Sequence, residues 1–182
     1  QAALPDLENL FFSVSATTRG KRPGEVHGKQ YYFYDKATFE TMLAEGGLLE
    51  HADYVGDYYG TPAKPVYEAL ERGQDVLLEL ELVGARKVKE KLSEAVMIFI
   101  APPTLRELER RLRGRGTDSE EKIQKRLARA REEIKAVKEF DYVIVNDMLA
   151  DSVRDFKSII YAERAKTEHL TGRDIAGFLK EL

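Results

Sequence analysis

Three apolar runs separated by stretches with helical character limit the folds open to this chain more than any other feature. The runs lie at residues 75–81, 96–100 and 142–146. They are rich in valine, leucine and isoleucine and are bounded by polar residues, glycine or proline, as buried strands are. Between them lie a helical pattern over about 84–92 and a second one that Thr104 can cap. Strands that alternate with helices in this way predict an α/β fold with a mainly parallel sheet.

A second pattern lies closer to the first residue. The run 10–15 predicts a strand that ends in a polar loop containing glycine and proline. Beyond it, Tyr31–Tyr34 and 48–55 have strand composition, and Asp35 can cap a helix between them. The stretch of about 19–75 is therefore expected to form a small strand-rich subdomain, with polar side chains placed beyond a strand end where ligands can reach them.

Positive charge is concentrated in one segment. Residues 110–138 contain eleven Lys or Arg and five Asp or Glu, although the whole chain has a net charge of -3. A solvated helix with internal ion pairs accounts for such a segment, and a small polyanion such as a nucleotide is the alternative partner. Long nucleic acid is disfavoured because the chain is acidic overall and has no basic face interleaved with aromatic residues.

Several classes of protein are excluded by composition. The chain has no cysteine, so disulfides and thiolate metal sites are impossible, and its histidines lack the spacing of a zinc site. No apolar run reaches the roughly 20 residues of a membrane helix, and the first residues do not have the pattern of a signal peptide. We therefore expect a soluble cytoplasmic protein.

Residues suited to binding a ligand lie within or beside the expected subdomain. They supply two cations, two anions and several hydroxyl groups: Ser15, Arg19, Arg22, Glu25, Tyr31, Glu50, Tyr59 and Thr61. Taken singly, such charged residues are most often surface ion pairs. Their order along the chain is more specific than any one of them.

The motifs that contain these residues follow one another in a recognisable order. They are SVSATTRGKRPGEVHGKQY, LLEHA, DYYGT, LELELVGA, IAPP, RLRGRGT and VIVND. Together they closely resemble the motifs of guanylate kinases over about residues 9–165. The chain is identified on this resemblance as a member of that family.

The resemblance implies an enzyme that transfers the γ-phosphoryl group of ATP to GMP and gives ADP and GDP. It implies one domain with a P-loop kinase-type three-layer α/β fold, a small strand-rich GMP-binding subdomain and a helical lid. The core would comprise residues 1–18, 76–109 and 139–182, the GMP-binding subdomain 19–75 and the lid 110–138. The expected partners are ATP and GMP, without nucleic acid or membrane, in a monomer or homodimer.

The GMP site that the resemblance implies agrees with the chemistry of the ligand. Arg19 and Arg22 would hold the phosphate through bidentate guanidinium contacts, and the hydroxyl groups of Tyr31 and Tyr59 would donate to it. The donor edge of guanine would meet the carboxylate of Glu50. Adenine presents an acceptor there, and an unmatched buried acceptor costs about 1–3 kcal/mol or more. The implied site is completed by Ser15 and Thr61 on the O6 side of guanine, with Glu25 and Gly60.

Two further carboxylates are expected between the nucleotides. Glu79 and Glu81 alternate with apolar residues near the end of the strand expected at 75–81, so both should face one side at the mouth of the sheet. The resemblance implies contacts with GMP and, for Glu81, with Mg²⁺ through water, the ion entering with ATP and having no direct protein ligand. Many relatives have Asp at the position of Glu81, and Gln is common at that of Val83.

The resemblance places the ATP phosphates against arginines of the lid. Arg111, Arg115 and Arg126 would bind them, and with Arg19 they form the expected catalytic set. Glycines on both sides of Arg115 permit a hinge. Phosphoryl transfer depends on positioning and on stabilisation of charge, so arginines delivered by lid closure need no acid or base beside them. Asn146 would lie near the adenine of ATP.

One expected motif is missing from these residues. A guanylate kinase should carry a GxxxxGK[ST] loop that cradles the ATP phosphates, and the 182 residues contain none. Gly24–Gln30 has the wrong spacing and no hydroxyl residue after its lysine. Gln1–Pro5 resembles the end of the helix that follows such a loop. We therefore expect roughly 20 to 30 upstream residues in the native protein, and no turnover by the chain without them.

Two other functions stay open on the sequence. Guanylate-kinase-like domains of scaffold proteins keep the fold, catalyse weakly and bind phosphorylated peptides through the GMP phosphate site. A missing P-loop favours that function, whereas the retained lid arginines and the lack of an adjoining interaction domain disfavour it. A kinase for another nucleoside monophosphate is disfavoured by Glu50 and by the Tyr59–Thr61 segment.

Overall fold

Strands and helices alternate along the chain, and the computed structural model describes residues 2–54, 56–114, 116 and 118–167. The strands are β1 (Leu10–Phe12), β2 (Ala16–Thr17), β3 (Tyr32–Phe33), β4 (Leu48–Tyr54), β5 (Asp57–Pro62), β6 (Asp75–Leu77), β7 (Ile98–Ala101) and β8 (Tyr142–Val145). The helices are α1 (Lys36–Ala44), α2 (Ala63–Glu71), α3 (Leu82–Lys91), α4 (Leu105–Gly114), α5 (Glu120–Lys135) and α6 (Leu149–Arg164). This mixture confirms the predicted α/β class.

The described residues divide into two compact units. The first unit runs from Glu8 to Val96, and the second combines the described residues of 1–7 and 97–167. In the first unit, the sheet order is β3-β2-β5-β4, and β1 pairs in parallel with β6. In the second unit, β7 pairs in parallel with β8. The apolar runs thus form parallel pairs, as the sequence predicts.

Strand β4 is covered by side chains on both of its faces. Leu48 packs with Phe39, whereas the next residue, Leu49, packs with Val88 of α3. The pairing of β4 with β5 shifts register between Leu48 and Glu50. Such a bulge turns an extra residue out of the regular alternation of side chains. Glu50 is consequently buried in the first unit, at 6% exposure, instead of facing solvent.

Two helices of the second unit begin with a side-chain cap, the first of them at the residue that the sequence predicts. The Thr104 hydroxyl accepts a hydrogen bond from the Glu107 N–H at 3.0 Å, and Ser119 caps α5 in the same manner. Helix α4 ends at Gly114, the first of the two glycines that flank Arg115 in the sequence. Leu112 then packs against Ile123 and Leu127, so α4 and α5 share a small apolar core. Apolar residues recur in steps of four and three from Ile123 to Val137, which predicts one apolar face for this helix. The core confirms the first half of that face, whereas Ile134 is 36% exposed.

Some strand ends differ from the predictions. The run 75–81 continues as a strand only to Leu77, because its partner β1 ends at Phe12 and the Ser13 N–H gives the last hydrogen bond, to the Leu77 carbonyl. The run 10–15 likewise breaks before β2 begins at Ala16. The sequence also predicts a last helix at about 172–181, and this stretch lies outside the described residues. Within the described part of the chain, no helix is long and apolar enough to cross a membrane.

Candidate active site

A fixed arginine lies in the loop that follows β2. The Arg19 guanidinium donates to both carboxylate oxygens of Glu25, at 3.0 and 2.8 Å, and to the Gly20 carbonyl at 2.6 Å. The Arg22 N–H donates to the same carboxylate at 2.7 Å, which folds the loop around it. The hydrogen bonds from Arg19 and Arg22 hold the pKa of the Glu25 carboxyl below its usual value. Glu25 therefore stays ionised and keeps Arg19 in one orientation.

Aromatic rings surround the same guanidinium. The Arg19 Cζ lies 5.4 Å from the centre of the Tyr31 ring and 5.5 Å from that of Phe33. Tyr31 also meets Tyr59 edge to face, with ring centres 5.9 Å apart. Burial raises the pKa of the Tyr31 hydroxyl, and nearby Tyr59 and Glu79 act in the same direction. Tyr31 is thus a hydrogen-bond donor throughout the physiological pH range.

A buried carboxylate lies farther along the same sheet. The Glu50 Oε1 accepts a hydrogen bond from the Thr61 hydroxyl at 2.8 Å, and Thr61 itself is 1% exposed. Burial raises the pKa of Glu50, while Thr61 and the charges of Lys87 and Lys91 lower it and offset part of the rise. A carboxylate kept from water in this way is stabilised in its charged form by hydrogen-bond donors.

Strand β5 joins the arginine group to the buried carboxylate. Tyr59 interacts with Arg19, and Thr61 binds Glu50. Tyr59 and Thr61 are two residues apart on β5, so their side chains stand on one face about 7 Å apart. The face therefore presents a cation with hydroxyl groups at one end and a carboxylate at the other, which suits a ligand with a phosphate and a donor edge.

Other residues expected at this site have mixed surroundings. The side chain of Arg22 is exposed, and Ser15 is half-buried and accepts the Tyr32 N–H at its carbonyl, at 2.8 Å. Gly60 is buried, and a Cβ on it would lie 2.9 Å from the Glu50 carbonyl oxygen. β4 and β5 approach closely here because position 60 has no side chain.

Glu79 and Glu81 are both exposed, as their alternation with apolar residues predicts. The neighbouring Leu78 and Leu80 pack against the core that contains Val88. The two glutamates nevertheless lie beyond the end of β6, and Glu81 is the residue that precedes α3. The expectation that a strand carries them is therefore wrong, although the alternation itself continues in the extended segment.

The second unit brings Arg111 and Asn146 together. The Arg111 guanidinium donates to Glu107 at 2.6 Å and to the Asn146 carbonyl at 2.7 Å. The Asn146 side-chain oxygen accepts a hydrogen bond from the hydroxyl of Ser152 in α6 at 3.3 Å. Asn146 directly follows β8, so both elements fix its position. Arg110 and Arg111 lower the pKa of Glu107 to about 2. Arg111 is thus tied to an ionised carboxylate and to the end of β8.

Arg126 is held by an acid in the loop before α5. Its Nη1 donates to Asp118 at 2.9 Å, and Lys122 approaches the other oxygen of Asp118 at 3.0 Å. The Asp118 side chain is only 6% exposed. Arg115, the remaining arginine of the expected set, lies outside the described residues.

The sequence does not predict the contacts that four charged residues make in the structure: Glu107, Asp118, Lys87 and Lys91. Each partner is set by folding of the chain, and in a segment with many charges the spacing alone does not select one pair. An acid four residues before Arg111 was the one available signal, because side chains at that spacing meet on a helix. These residues orient the arginines and the carboxylate that the motifs identify.

An α/β fold with an anion site and a buried carboxylate on one strand face is typical of a nucleotide-binding protein. A family model for guanylate kinase matches residues 3–163. A guanylate kinase of Thermus thermophilus is 54% identical over 167 residues, which cover 92% of this chain and 76% of that protein. The guanylate kinase of Carboxydothermus hydrogenoformans is 52% identical over 165 residues, covering 91% and 81% of the two chains.

A solved structure agrees with these matches. The crystal structure of guanylate kinase from Anaplasma phagocytophilum has a TM-score of 0.77 and 37% identity, and the match covers 91% of this chain and 83% of that one. The chain belongs to the guanylate kinase family. The predicted family, fold class and guanylate kinase function are thereby confirmed, while the assignment of individual site residues stays a prediction.

Proposed function

We propose that the first unit binds GMP with its phosphate at Arg19 and its guanine at Glu50. The observation that carries this proposal is the buried Glu50–Thr61 pair on the strand face that also carries Tyr59 beside Arg19. The remaining GMP contacts of the proposal come from Ser15, Arg22, Glu25, Tyr31, Gly60, Glu79 and Glu81. Residues 19–75 would form the GMP-binding subdomain.

The Arg19 geometry suits capture of a phosphate without rearrangement. Gly20 and Glu25 accept three of the five guanidinium N–H groups, so the group is oriented and still has donors to offer. Tyr31 and Tyr59 add hydroxyl donors beside it. A site already fixed in the binding orientation loses little side-chain entropy when the ligand arrives.

The Glu50 carboxylate suits guanine and not adenine. Guanine offers N1–H and a 2-amino group, and a carboxylate accepts both. Adenine offers an acceptor at N1, which would leave a desolvated carboxylate facing a lone pair. Thr61 holds one oxygen of Glu50 in place, which restricts the carboxylate to one orientation. Adenine is then rejected because the Glu50 carboxylate would lack a donor from the base, and not because of the size of a pocket.

For the donor nucleotide, we propose that residues 110–138 form a lid that brings Arg111, Arg115 and Arg126 to the ATP phosphates, with Asn146 beside adenine. The contact between Arg111 and the Asn146 carbonyl supports a common site for phosphate and base. A phosphate oxygen of GMP attacks the γ-phosphorus of ATP, the bond to the β–γ bridging oxygen breaks, and ADP leaves. The arginines neutralise the equatorial oxygens during transfer, and Arg19 holds the acceptor.

We propose that Mg²⁺ arrives with ATP. Among the described residues, no three acidic or histidine side chains are placed to hold a metal. Magnesium keeps several waters and binds substrate phosphates, so a single exposed carboxylate suffices on the protein side. We propose that Glu81 approaches its water shell. The ion would supply neutralisation of charge on the β- and γ-phosphates.

We also propose that the protein acts in the cytoplasm, where ATP and GMP are available, as a monomer or homodimer. The support for this location is the pair of substrates. Light scattering on the protein as it elutes from a size-exclusion column would distinguish the monomer from the homodimer by mass.

Formation of ADP from ATP tests the proposed function. We expect the protein with its upstream P-loop segment to turn over GMP and dGMP, with about 10³-fold lower kcat/KM for AMP, because adenine does not pair with Glu50. GMP binding by calorimetry accompanies the assay. If the protein with its P-loop segment binds GMP but turns over no substrate, the kinase activity is contradicted and a phosphate-binding module is favoured. Equal rates with AMP would contradict the role of Glu50.

Acidification is expected to weaken GMP binding through Glu50. Burial raises the pKa of this carboxyl, so it takes up a proton at a higher pH than an exposed glutamate, and the protonated form loses one acceptor for the guanine donors. The GMP dissociation constant should therefore rise as the pH falls through the raised pKa. Glu50→Gln is the control, because it keeps the titration of the GMP phosphate and removes that of Glu50. If the GMP dissociation constants of the native protein and of Glu50→Gln depended on pH in the same way, the expectation would be contradicted.

A further inference from the structure

Two lysines of helix α3 donate hydrogen bonds to the backbone of β4. The Lys91 ammonium donates to the Leu49 carbonyl, and the Lys87 ammonium donates to the His51 carbonyl at 2.6 Å. Glu50 lies between these two anchored positions. The backbone of β4 and the helix are therefore tied together on both sides of the residue that the proposed function assigns to guanine.

Gly84 meets the side chain of Glu50 in the first turn of α3. A Cβ built on Gly84 would lie 2.7 Å from the Glu50 Oε2 and 3.2 Å from its Cδ. The shorter distance excludes a side chain at 84 unless the carboxylate moves, and the longer one is a tight contact. The backbone of Gly84 has no positive φ, so any residue could adopt its conformation. The position needs glycine for the space that the carboxylate occupies.

We propose that Gly84 is a positioning residue for base selection, an inference that rests on the proposed GMP site. Thr61 fixes Oε1 of Glu50, and the missing side chain at 84 leaves room for Oε2. Because Lys87 and Lys91 hold α3 against β4, a methyl group at 84 displaces the carboxylate rather than the helix. The displaced carboxylate no longer accepts from both N1–H and the 2-amino group of guanine.

The test compares GMP with inosine monophosphate, which keeps N1–H and the phosphate but lacks the 2-amino group. Gly84→Ala is expected to lower GMP affinity by about 10- to 100-fold, the cost of one hydrogen bond to a charged group. Inosine monophosphate should lose less, so the preference for GMP narrows. The melting temperature should change little, since the better helix propensity of alanine offsets part of the cost of displacing the carboxylate.

Three variants separate this role from others. Glu90→Ala changes an exposed residue of the same helix and should leave both affinities unchanged. Glu50→Asp shortens the carboxylate, so adding Gly84→Ala to it should cost less than adding it to the native chain. Lys87→Met loosens α3 without filling the space at 84 and should narrow the preference for GMP in the same direction.

The outcomes are distinguishable. If Glu50→Gln leaves the preference for GMP unchanged, the proposed guanine contact is wrong. If Glu50→Gln narrows the preference but Gly84→Ala does not, the contact stands and the role of Gly84 is overturned. An equal loss for both ligands with a lower melting temperature also overturns it, because packing alone would then explain the glycine. Should Gly84→Ala not fold, the double variant Glu50→Asp/Gly84→Ala decides the question, because the shortened carboxylate leaves room for the methyl group. Recovery of folding supports the contact between Gly84 and Glu50, and no recovery overturns it.

Discussion

Replacing Arg19 by alanine is expected to weaken GMP binding by a factor of about 10² to 10³, the loss of two charge-assisted hydrogen bonds to the phosphate. A second effect acts in the same direction. In the native site Glu25 is neutralised by Arg19, and the substitution leaves that carboxylate beside an incoming dianion. Calorimetry with GMP measures the change, and guanosine, which has no phosphate, should bind with unchanged affinity.

The contribution of Glu25 can be separated from that of Arg19. Adding Glu25→Ala to Arg19→Ala removes the unneutralised charge, so part of the lost affinity should return. Arg72→Ala is the matched control, because Arg72 is an exposed arginine of the same unit whose guanidinium binds Gln74. A change of less than about threefold in Arg19→Ala, or an equal loss of guanosine binding, would show that the phosphate lies elsewhere.

Local chemistry explains which parts of the fold could be predicted. Asp35, Thr104 and Ser119 each accept a backbone N–H at the start of a helix, and such a cap depends only on residues three positions away. Strand ends are different, since a strand ends where its partner ends. The length of β6 is set by β1, more than 60 residues earlier in the chain. No pattern within 75–81 contains that information.

The same distinction applies to the candidate site. The motifs identify residue types that a nucleotide needs, and the structure places Arg19, Tyr31 and Tyr59 together as expected. The sequence does not reveal that Glu25 is the partner of Arg19 or that Gly84 faces Glu50. These contacts join a loop to itself and a helix to a strand, and their geometry exists only after folding.

Glu50→Gln is expected to lower GMP affinity about 100-fold and to stabilise the protein at the same time. Glutamine keeps an acceptor for the Thr61 hydroxyl but presents an N–H₂ group to the donor edge of guanine, so two donors face one another. The variant also removes a buried charge. Because the GMP site requires that charge, function and stability should move in opposite directions at this residue.

The pH dependence of stability identifies the buried charge as the cause. Burial raises the pKa of Glu50 in the folded protein, so between the unfolded and the folded pKa the folded state binds more protons. Stability of the native protein therefore falls as the pH rises through this window, and the full cost remains above it. Glu50→Gln avoids that cost, so its melting temperature should exceed that of the native protein at neutral pH and the difference should vanish below the unfolded pKa. Thermal melts without nucleotide at several pH values measure this difference in melting temperature. A variant less stable than the native protein at neutral pH would show that the hydrogen bonds of Glu50 stabilise the fold more than its burial destabilises it.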